Sequence, residues 1–255
     1  MRNILAIAHK ELRSYFASPI AYIVIGFFAL VYGFFFVAIL RYFAGQSMQA
    51  GLMGGAQSMN VIQQLIRPLL QNVTVVVLFL LPMVTMRTYA EEKRSGTIEL
   101  LLTSPVTDFQ IVMGKFLGAM ALYGAMLAVT LIHFGILFIY GRPEWKPILT
   151  SYLGLMLLGG GFLSLGLFIS TLTTNQIVAY IATFSTFLML WVISWIGSFS
   201  SGMFTDVTAY MSIIEHFDDF TKGVIDTTHV IYYLSLITFG LFLTARSVDT
   251  ERWRG

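Results

Sequence analysis

The sequence has no cysteine among its 255 residues, and only 11% of the residues are charged. The absence of cysteine excludes disulfides, thiolate catalysis and cysteine-ligated metals. Soluble domains carry about 25% charged residues. This chain is 57% hydrophobic and has too few polar groups to cover that apolar surface in water. Its net charge of +2 is too small to indicate a nucleic-acid partner. Together these shortages predict an integral membrane protein.

Charge-free stretches mark the predicted membrane spans, because a charge at the bilayer centre costs roughly 2.5–3.5 kcal/mol. The longest, Pro147–Thr205, has 59 residues and must hold two spans, since one span needs about 20. We place the break at Thr171–Asn175, where Thr173 and Gln176 have the spacing of a capping box. The sequence therefore predicts an all-α polytopic membrane protein that forms a single domain over 1–255. Its six transmembrane helices are expected at about 19–40, 67–87, 110–140, 148–171, 175–197 and 227–246.

Two further uncharged stretches need separate interpretations. Ser14–Leu40 has 27 residues without a charge and follows four charged residues, so it is too long for the core of a cleavable signal peptide. Tyr42–Ile66 also lacks charge, but it holds five Gln and four Gly. We interpret this second stretch as an extracytoplasmic loop with a short helix near Met59–Ile66.

The Lys and Arg residues predict the orientation. With six spans, ten of them lie on the side that holds both termini and five lie on the other side. Cytoplasmic loops are enriched in Lys and Arg, so both termini are expected in the cytoplasm, with the chain in the inner (plasma) membrane. The N-terminal segment is predicted to be an amphipathic elbow helix at the lipid headgroups. It serves either to dock a cytosolic partner or simply as an interfacial anchor. Its apolar stripe holds Ile4, Ala8, Leu12 and Phe16.

The connection Arg87–Lys115, between the second and third spans, is the most informative stretch of the chain. Ser95-Gly96 is expected to bend it, and residues 97–103 have the pattern of a short amphipathic helix that ends at Pro105. A short helix held at both ends by membrane spans moves two spans when it is displaced. The pattern therefore favours a force-transmitting cytosolic helix, and the alternative is a solvated loop with one buried turn.

Residues 91–107, EEKRSGTIELLLTSPVT, resemble the coupling-helix region of ABC-2 type permeases, the membrane subunits of ATP-driven exporters. The opening HKELRSYFASPIAY resembles the start of the same family. Residues 216–236 resemble its gliding-motility-associated and nitrous-oxide-reductase-maturation permeases. The resemblance implies a separate ABC ATPase subunit as partner, together with a second permease copy or a related permease. It implies contacts to the ATPase from Glu91, Gly96, Thr97, Ile98, Glu99, Leu100, Leu101, Lys10 and Glu11.

The chain itself is expected to bind no cofactor. It lacks a G-x-x-x-x-G-K-[ST] loop, because the only Gly-Lys pair, Gly114-Lys115, is followed by Phe116 and has no glycine at the required upstream position. ATP and Mg²⁺ are therefore expected on the partner subunit. The chain is predicted to be a transport subunit rather than an enzyme.

Two aromatic groups are candidates for a transport path. On the fifth span, Phe184, Phe187 and Trp191 form a stripe that lines a pathway or faces lipid or another helix. Between the fifth and sixth spans, residues 205–226 are predicted to form one or two short extracytoplasmic helices, which are either a gate or an interfacial cap. Phe217 and Phe220 are the candidate gate residues. The apolar stripe of this segment holds Tyr210, Ile213, Ile214, Phe217 and Val224, and His216 is expected to face elsewhere.

Two other classes of protein remain as alternatives. A stand-alone carrier or channel is disfavoured because the charge-free stretches that form the spans hold no Asp, Glu, Lys or Arg, and ion-coupled carriers usually need one. A rhomboid-type intramembrane serine protease would need Ser164 and His229 as its catalytic pair. The G-x-S-G motif of that class is missing around Ser164.

Overall fold

The computed structural model describes residues 2–52, 60–102, 105–141, 143–198 and 203–252, and every regular element in these ranges is helical. This confirms the predicted all-α class. A π-helical turn at Ile62–Ile66 leads directly into α3. The helices are α1 (Arg2–Ala17), α2 (Pro19–Leu52), α3 (Arg67–Thr85), α4 (Ala90–Ser95), α5 (Thr97–Leu102), α6 (Asp108–Tyr140), α7 (Trp145–Thr171), α8 (Gln176–Ser198), α9 (Met203–Met211), α10 (Ile213–Thr221) and α11 (Thr227–Arg252).

Within the described ranges, six helical stretches are long and apolar enough to cross a membrane, which confirms the predicted number of spans. Successive spans run in opposite directions. One end of the bundle, here called the base, therefore carries α1, α4, α5 and the last turns of α11. The opposite end, here called the far end, carries α9 and α10.

The α7 helix lies at the centre of the bundle, in contact with α3, α6 and α11. Its glycines allow this close approach. A Cβ atom at Gly159 would overlap the ring of Tyr123 on α6, and one at Gly166 would overlap the side chain of Thr85 on α3. The Tyr123 hydroxyl also donates a hydrogen bond of 2.8 Å to the carbonyl of Leu155 on α7. In the interior of the bundle, the backbone of α7 therefore packs directly against side chains of α3 and α6.

The loop predicted from Tyr42 onward is wrong for Tyr42–Leu52, which continue α2 as a helix. Gly and Gln favour a loop here only weakly, because an isolated Gly costs a helix about 1 kcal/mol and no proline interrupts this segment. The Gln46 amide also donates to the Tyr42 hydroxyl one turn earlier. The short helix predicted near Met59–Ile66 is present at Ile62–Ile66 as the π-helical turn. Residues 53–59 lie outside the described part of the chain.

Two predicted helix starts have different outcomes. The spacing of Thr107 and Gln110 in the sequence also predicts a capping box, and the structure confirms it at the start of α6: the Gln110 N–H donates to the Thr107 hydroxyl, and the Gln110 side chain accepts from the Thr107 N–H. At α8, the predicted box between Thr173 and Gln176 is wrong. The helix begins at Gln176, so Asn175 occupies the capping position, and its side chain accepts from the N–H of Ile177 at 2.9 Å.

The N-terminal helix α1 packs on α6, and its buried face differs from the predicted stripe. Phe16, on the stripe predicted to lie at the lipid headgroups, is 36% exposed, whereas Glu11 and Tyr15 are buried against the protein. Gly114 and Gly118 make this packing possible, because a Cβ atom at Gly118 would lie 2.8 Å from the Cβ of Glu11. The helix turns Glu11 inward because the carboxylate pairs there with a lysine of α6.

Candidate functional site

The start of α4 is held by a serine from the base of α7. The chain leaves α3 through residues 86–89 and re-enters a helix at Ala90. The Ser170 hydroxyl accepts hydrogen bonds of 3.1 Å from the N–H groups of both Tyr89 and Ala90. The same hydroxyl lies 3.2 Å from the Met86 carbonyl, to which it donates. One side chain therefore satisfies the backbone groups freed where α3 ends and α4 begins.

Lys115 is the centre of a buried ion cluster at the base. The side chain of Lys115 is 0% exposed, and its Nζ lies 3.0 Å from Glu11 on α1 and 2.8 Å from Glu92 on α4. Nζ also donates to the Thr88 carbonyl at 3.0 Å and lies 4.9 Å from the centre of the Tyr89 ring. A buried charge is tolerated only when it is paired and hydrogen-bonded. The cluster therefore fixes α1, α4 and α6 relative to one another.

A second lysine ties α4 to the other side of the bundle. Nζ of Lys93 donates to the carbonyl of Thr171 at the end of α7 and to the carboxylate of Glu251 on α11, at 2.5 and 2.7 Å. The end of α11 is in turn joined to the start of α6, because Arg252 pairs with Asp108 at 2.9 Å. The six-residue helix α4 is thus attached to four other helices: α1, α6, α7 and α11.

The short helix α5 follows α4 through a left-handed glycine. Gly96 has φ +71°, a conformation that glycine adopts without steric cost. The hydroxyls of Ser95 and Thr97 lie 2.9 Å apart across this bend. The predicted bend and the short helix after it are therefore both present, with α5 ending at Leu102.

A cleft of 240 Å³ lies between α1 and α4 at the base. Lys10 borders it, with Nζ 3.8 Å from Glu11 and 3.6 Å from Glu92. Burial raises the pKa of Tyr15 above its ordinary value, so its hydroxyl stays protonated beside the cleft and lies 3.3 Å from the Thr88 hydroxyl. The cleft therefore has acidic and basic groups on its walls and can accommodate a charged side chain of either sign.

The structure brings most of the predicted contact residues to this one region. Lys10, Glu91 and Thr97 line the cleft, next to Gly96, and Glu99 is exposed on α5. Leu100 and Leu101 belong to α5, and their side chains lie outside the described part of the structure. Two predicted contacts instead face the interior of this chain, where they support the surface from within. These are Glu11, 7% exposed and paired with Lys115, and Ile98, which packs into the core.

The aromatic stripe on α8 packs against neighbouring helices. Phe187 is fully buried and stacks on Phe162 of α7, with ring centres 4.1 Å apart. Phe184 contacts Phe79 of α3 at 5.0 Å. Trp191 is partly buried and meets Trp195 edge to face at 5.0 Å. In this arrangement Phe187 fills the interior of the bundle.

At the far end, Phe217 and Phe220 are both buried beneath α10. The ring of Phe220 fills the space left by Gly154 on α7. Within the predicted apolar stripe of this segment, Ile213 and Phe217 are buried whereas Tyr210 and Val224 are exposed. His216, expected to face away from the stripe, is buried. A new helix starts at Ser212, whose side chain caps α10. This break resets the helical phase, so one continuous stripe does not extend across α9 and α10.

Three residues at the base were missed by the sequence reasoning: Glu92 as the partner of a buried lysine, Ser170 and Lys115. Lys115 had a detectable signal, because it lies four residues from both Ile111 and Ala119 and so shares their apolar helix face. A lysine on such a face indicates a buried partner. Ser170 carried no comparable signal, since serine is common near helix ends for several reasons.

The protease alternative fails on geometry. The Ser164 hydroxyl is buried and donates to the carbonyl of Gly161 at 2.8 Å, and its nearest polar atom on α11 is the carbonyl of Leu236. His229 lies seven residues earlier on α11, about 10 Å along the helix at 1.5 Å per residue. The two residues therefore form no catalytic pair.

A bundle with six apolar helices of membrane-spanning length, whose base carries the attached helix α4 and the short helix α5, defines a polytopic membrane protein. Residues 5–248 match the family described as ABC-2 family transporter protein, and the chain belongs to this family. With six helices long and apolar enough to cross a membrane, it is a multi-pass inner-membrane protein of this transporter family. This assignment argues against the stand-alone carrier or channel.

Two relatives have similar sequences over part of the chain. Over 143 residues the chain is 29% identical to the probable multidrug ABC transporter permease YbhR of Escherichia coli strain K12, and equally to that of Escherichia coli O157:H7. The similarity covers 55% of this chain but only 38% of the length of each relative.

Proposed function

We propose that this permease belongs to an exporter in which a separate ATPase subunit binds ATP and Mg²⁺ and docks at the base of the bundle. The base and both termini then lie in the cytoplasm, as the Lys and Arg distribution predicts. The docking surface is α5 together with the cleft between α1 and α4. Glu11 and Ile98 support this surface from within, and the residues proposed to contact the partner are Lys10, Glu91, Gly96, Thr97, Glu99, Leu100 and Leu101.

One observation carries the proposal: Thr97 and Glu99 of α5 are exposed, and α5 is joined by a single left-handed glycine to a helix that is attached to four others. A partner that displaces α5 acts on α4 through Gly96. The displacement then reaches α1 and α6 through Lys115, and α7 and α11 through Lys93. A force applied to one short helix is thereby distributed over the base.

A second permease copy or a related permease is proposed to complete the transport path. Phe184, Phe187 and Trp191 line that path in a state in which α8 separates from α7. Phe217 and Phe220 act as its gate when α10 lifts from α7, since both rings are buried in the present arrangement. The resemblance of residues 216–236 supports membership of the gliding-motility-associated or nitrous-oxide-reductase-maturation branch.

The test uses the complex of this chain with the ATPase that copurifies from its native membrane, reconstituted in liposomes. Two variants change α5, and the measurement is ATP hydrolysis by the complex relative to that of the isolated ATPase. In Gly96→Pro the ring fixes φ near −65°, which is incompatible with the observed +71°. In Glu99→Arg an exposed charge is reversed. Both variants are expected to abolish the effect of the permease on hydrolysis while the helical bundle stays folded.

The matched control is Glu144→Arg, which reverses an exposed charge at the far end and is expected to leave hydrolysis unchanged. Circular dichroism and size-exclusion chromatography verify folding of every variant. Normal regulation of hydrolysis in both α5 variants, or a purified chain that carries no ATPase, would overturn the proposal.

A further inference from the structure

Two histidines face each other at the far end of the bundle. The Nδ1 atoms of His216 on α10 and His229 on α11 lie 2.6 Å apart. Nε2 of His216 lies 2.8 Å from the backbone carbonyl of Tyr210, the penultimate residue of α9. Nε2 of His229 lies 2.9 Å from a carboxylate oxygen of Asp219 on α10. One continuous line of polar contacts therefore joins α9, α10 and α11.

The partners of the two rings determine where the protons lie. A carbonyl only accepts, so Nε2 of His216 carries a proton, and in the neutral ring its Nδ1 is an acceptor. Nδ1 of His229 must then carry the proton that joins the two rings. Hydrogen bonds from Lys222 and His229 hold the pKa of Asp219 below its ordinary value, so this carboxylate accepts from Nε2 of His229. The three contacts therefore need three protons on ring nitrogens: one on Nε2 of His216 and two on His229. Two neutral imidazoles carry only two such protons, so the pair holds one extra proton.

A fourth proton does not fit this arrangement. His216 is 4% exposed, and its ring stacks on that of Tyr232 at 3.9 Å. Burial, together with the neighbouring His229, lowers the pKa of His216 from its ordinary value. A proton added to its Nδ1 would meet the N–H of His229 across the 2.6 Å contact. Two donors then face each other, and the hydrogen bond between α10 and α11 is lost.

Asp219 is the carboxylate in direct contact with His229, and it also pairs with Lys222 at 2.7 Å. Asp218, the adjacent carboxylate, is already paired with Arg67 at the start of α3 and with Lys222. From α7, uncharged hydroxyl groups reach the end of α10 and donate to its Phe220 carbonyl. The charged or titratable groups that neighbour the two histidines are Tyr210, Asp218, Asp219, Lys222, Asp226, Tyr232, Tyr233 and Arg67.

We propose that His216 and His229 form a binding site for one proton, which latches α10 to α11, and that a second proton opens the latch. The closed latch requires a neutral His216. The pKa of His216 in the closed state lies below the ordinary value for histidine, about 6.5, so the closed state is fully stabilised above that pH. This stabilisation of the closed state is lost as the pH falls below the ordinary histidine pKa and through the lowered pKa of His216. Acidification on the side that the far end faces would therefore break the contact that holds α10, with Phe217 and Phe220, against α11.

The first measurement determines the protons directly. The full chain is labelled with ¹⁵N-histidine in lipid nanodiscs, and the four histidines are assigned by single His→Asn variants. At pH 7.5 we expect His229 to carry protons on both nitrogens, His216 to be neutral, and a ¹⁵N–¹⁵N coupling to connect the two Nδ1 atoms. We expect this coupling to disappear at pH 5. Two neutral rings at pH 7.5, or a coupling retained after His216 is protonated, would overturn the proposal.

The second measurement tests movement. Because the chain has no cysteine, Glu215→Cys and Ile231→Cys, both at exposed positions, allow spin labels to report the distance between α10 and α11. The distance is expected to lengthen between pH 7.5 and pH 5. The variant His216→Asn retains a hydrogen-bond acceptor but does not titrate, so the distance between α10 and α11 should stay short at both pH 7.5 and pH 5. The control His133→Asn, in α6, should respond like the parent.

A distance that does not change with pH in the parent, or that still changes in His216→Asn, would overturn the latch. Neither measurement involves the ATPase, so the outcome is independent of the function proposed above.

Discussion

The two ends of the bundle both use charged side chains to join helices that are distant in sequence, but they use different ones. At the base, Lys115 is paired with Glu11 and Glu92. At the far end, His216 and His229 are linked to Asp219. Lysine and carboxylate side chains as a class keep their charges across the physiological pH range, whereas imidazole titrates within it. The comparison indicates that the base is built to hold its geometry and the far end to change it.

Solvent access separates the two ends as well. Lys115 is completely buried, whereas the Lys222 side chain, which pairs with Asp218 and Asp219 at the far end, is 44% exposed. Salt and water screen exposed ion pairs far more than buried ones. Mutations of the ion cluster at the base should therefore change the free energy of unfolding strongly and with little dependence on salt. Mutations of the ion pairs at the far end should change it weakly, and salt should reduce the change.

The largest effect is expected for Lys115→Met. The change removes the buried cation shared by Glu11 and Glu92 and leaves only the exposed Lys10, 3.8 and 3.6 Å from them. Breaking a buried ion cluster costs up to about 3–5 kcal/mol. The measurement is reversible unfolding in mixed micelles with increasing denaturing detergent. The control is the triple variant with Glu11→Gln and Glu92→Gln added, which removes the unpaired charges and should recover most of the loss. A loss below about 1 kcal/mol in Lys115→Met would contradict the buried assignment.

Lys115 also shows where prediction from the sequence stops. Counting charge-free residues predicts six spans, because the bilayer penalises charge at every position independently of the fold. The same counting predicts that Lys115 is exposed to solvent at the cytoplasmic end of its span. Its burial could not be predicted, because its partner Glu11 is 104 residues away and only tertiary packing joins them. The cap at Thr107 was predictable because it depends on two residues, Thr107 and Gln110, that are three positions apart in the sequence. The serine that holds α4, Ser170, depends on a contact 80 residues away and was not.

The next effect is expected for Gly118→Ala, which tests how tightly α1 is held against the base. The new methyl group would lie 2.8 Å from the Cβ of Glu11 and 3.1 Å from the Ala8 carbonyl. Such overpacking typically costs about 1–3 kcal/mol. Gly124→Ala in the same helix is the control, because no atom lies within 4 Å of the position that its methyl group would take, and better helix propensity should stabilise it by up to about 1 kcal/mol. Equal effects of the two changes would argue against close packing of α1 on α6.

A smaller effect is expected for Ser170→Ala, which removes the hydroxyl shared by the N–H groups of Tyr89 and Ala90. Leaving a buried donor without a partner costs about 1–3 kcal/mol, and here water at the base can replace part of the loss. The control is Ser151→Ala at the far end of the same helix, where the Phe220 carbonyl keeps its bond from Thr150. Hydrogen exchange at Tyr89 and Ala90 should accelerate only in Ser170→Ala. Unchanged exchange there would refute the capping role.

The smallest effect is expected for Lys222→Ala, and it sharpens the contrast between the two ends. Lys222 lies 2.8 Å from Asp218 and 2.7 Å from Asp219, but Arg67 remains to pair with Asp218, so the loss should be about 0.2–1 kcal/mol. The pKa of Asp219 is lowered in the folded state, mainly by this lysine, so the stabilisation is present above the ordinary aspartate pKa and is lost as the pH falls through the lowered value.

Salt distinguishes this effect from the one at the base. At 1 M ionic strength the Debye length falls to about 3 Å, so the difference between Lys222→Ala and the parent should vanish in unfolding measurements. The difference caused by Lys115→Met should largely persist, because Lys115 is completely buried and Glu11 is 7% exposed, so salt screens this cluster less than the exposed pairs at the far end. If both differences disappeared in high salt, the base would be as solvated as the far end. The base would then lack the rigidity that force transmission from α5 requires.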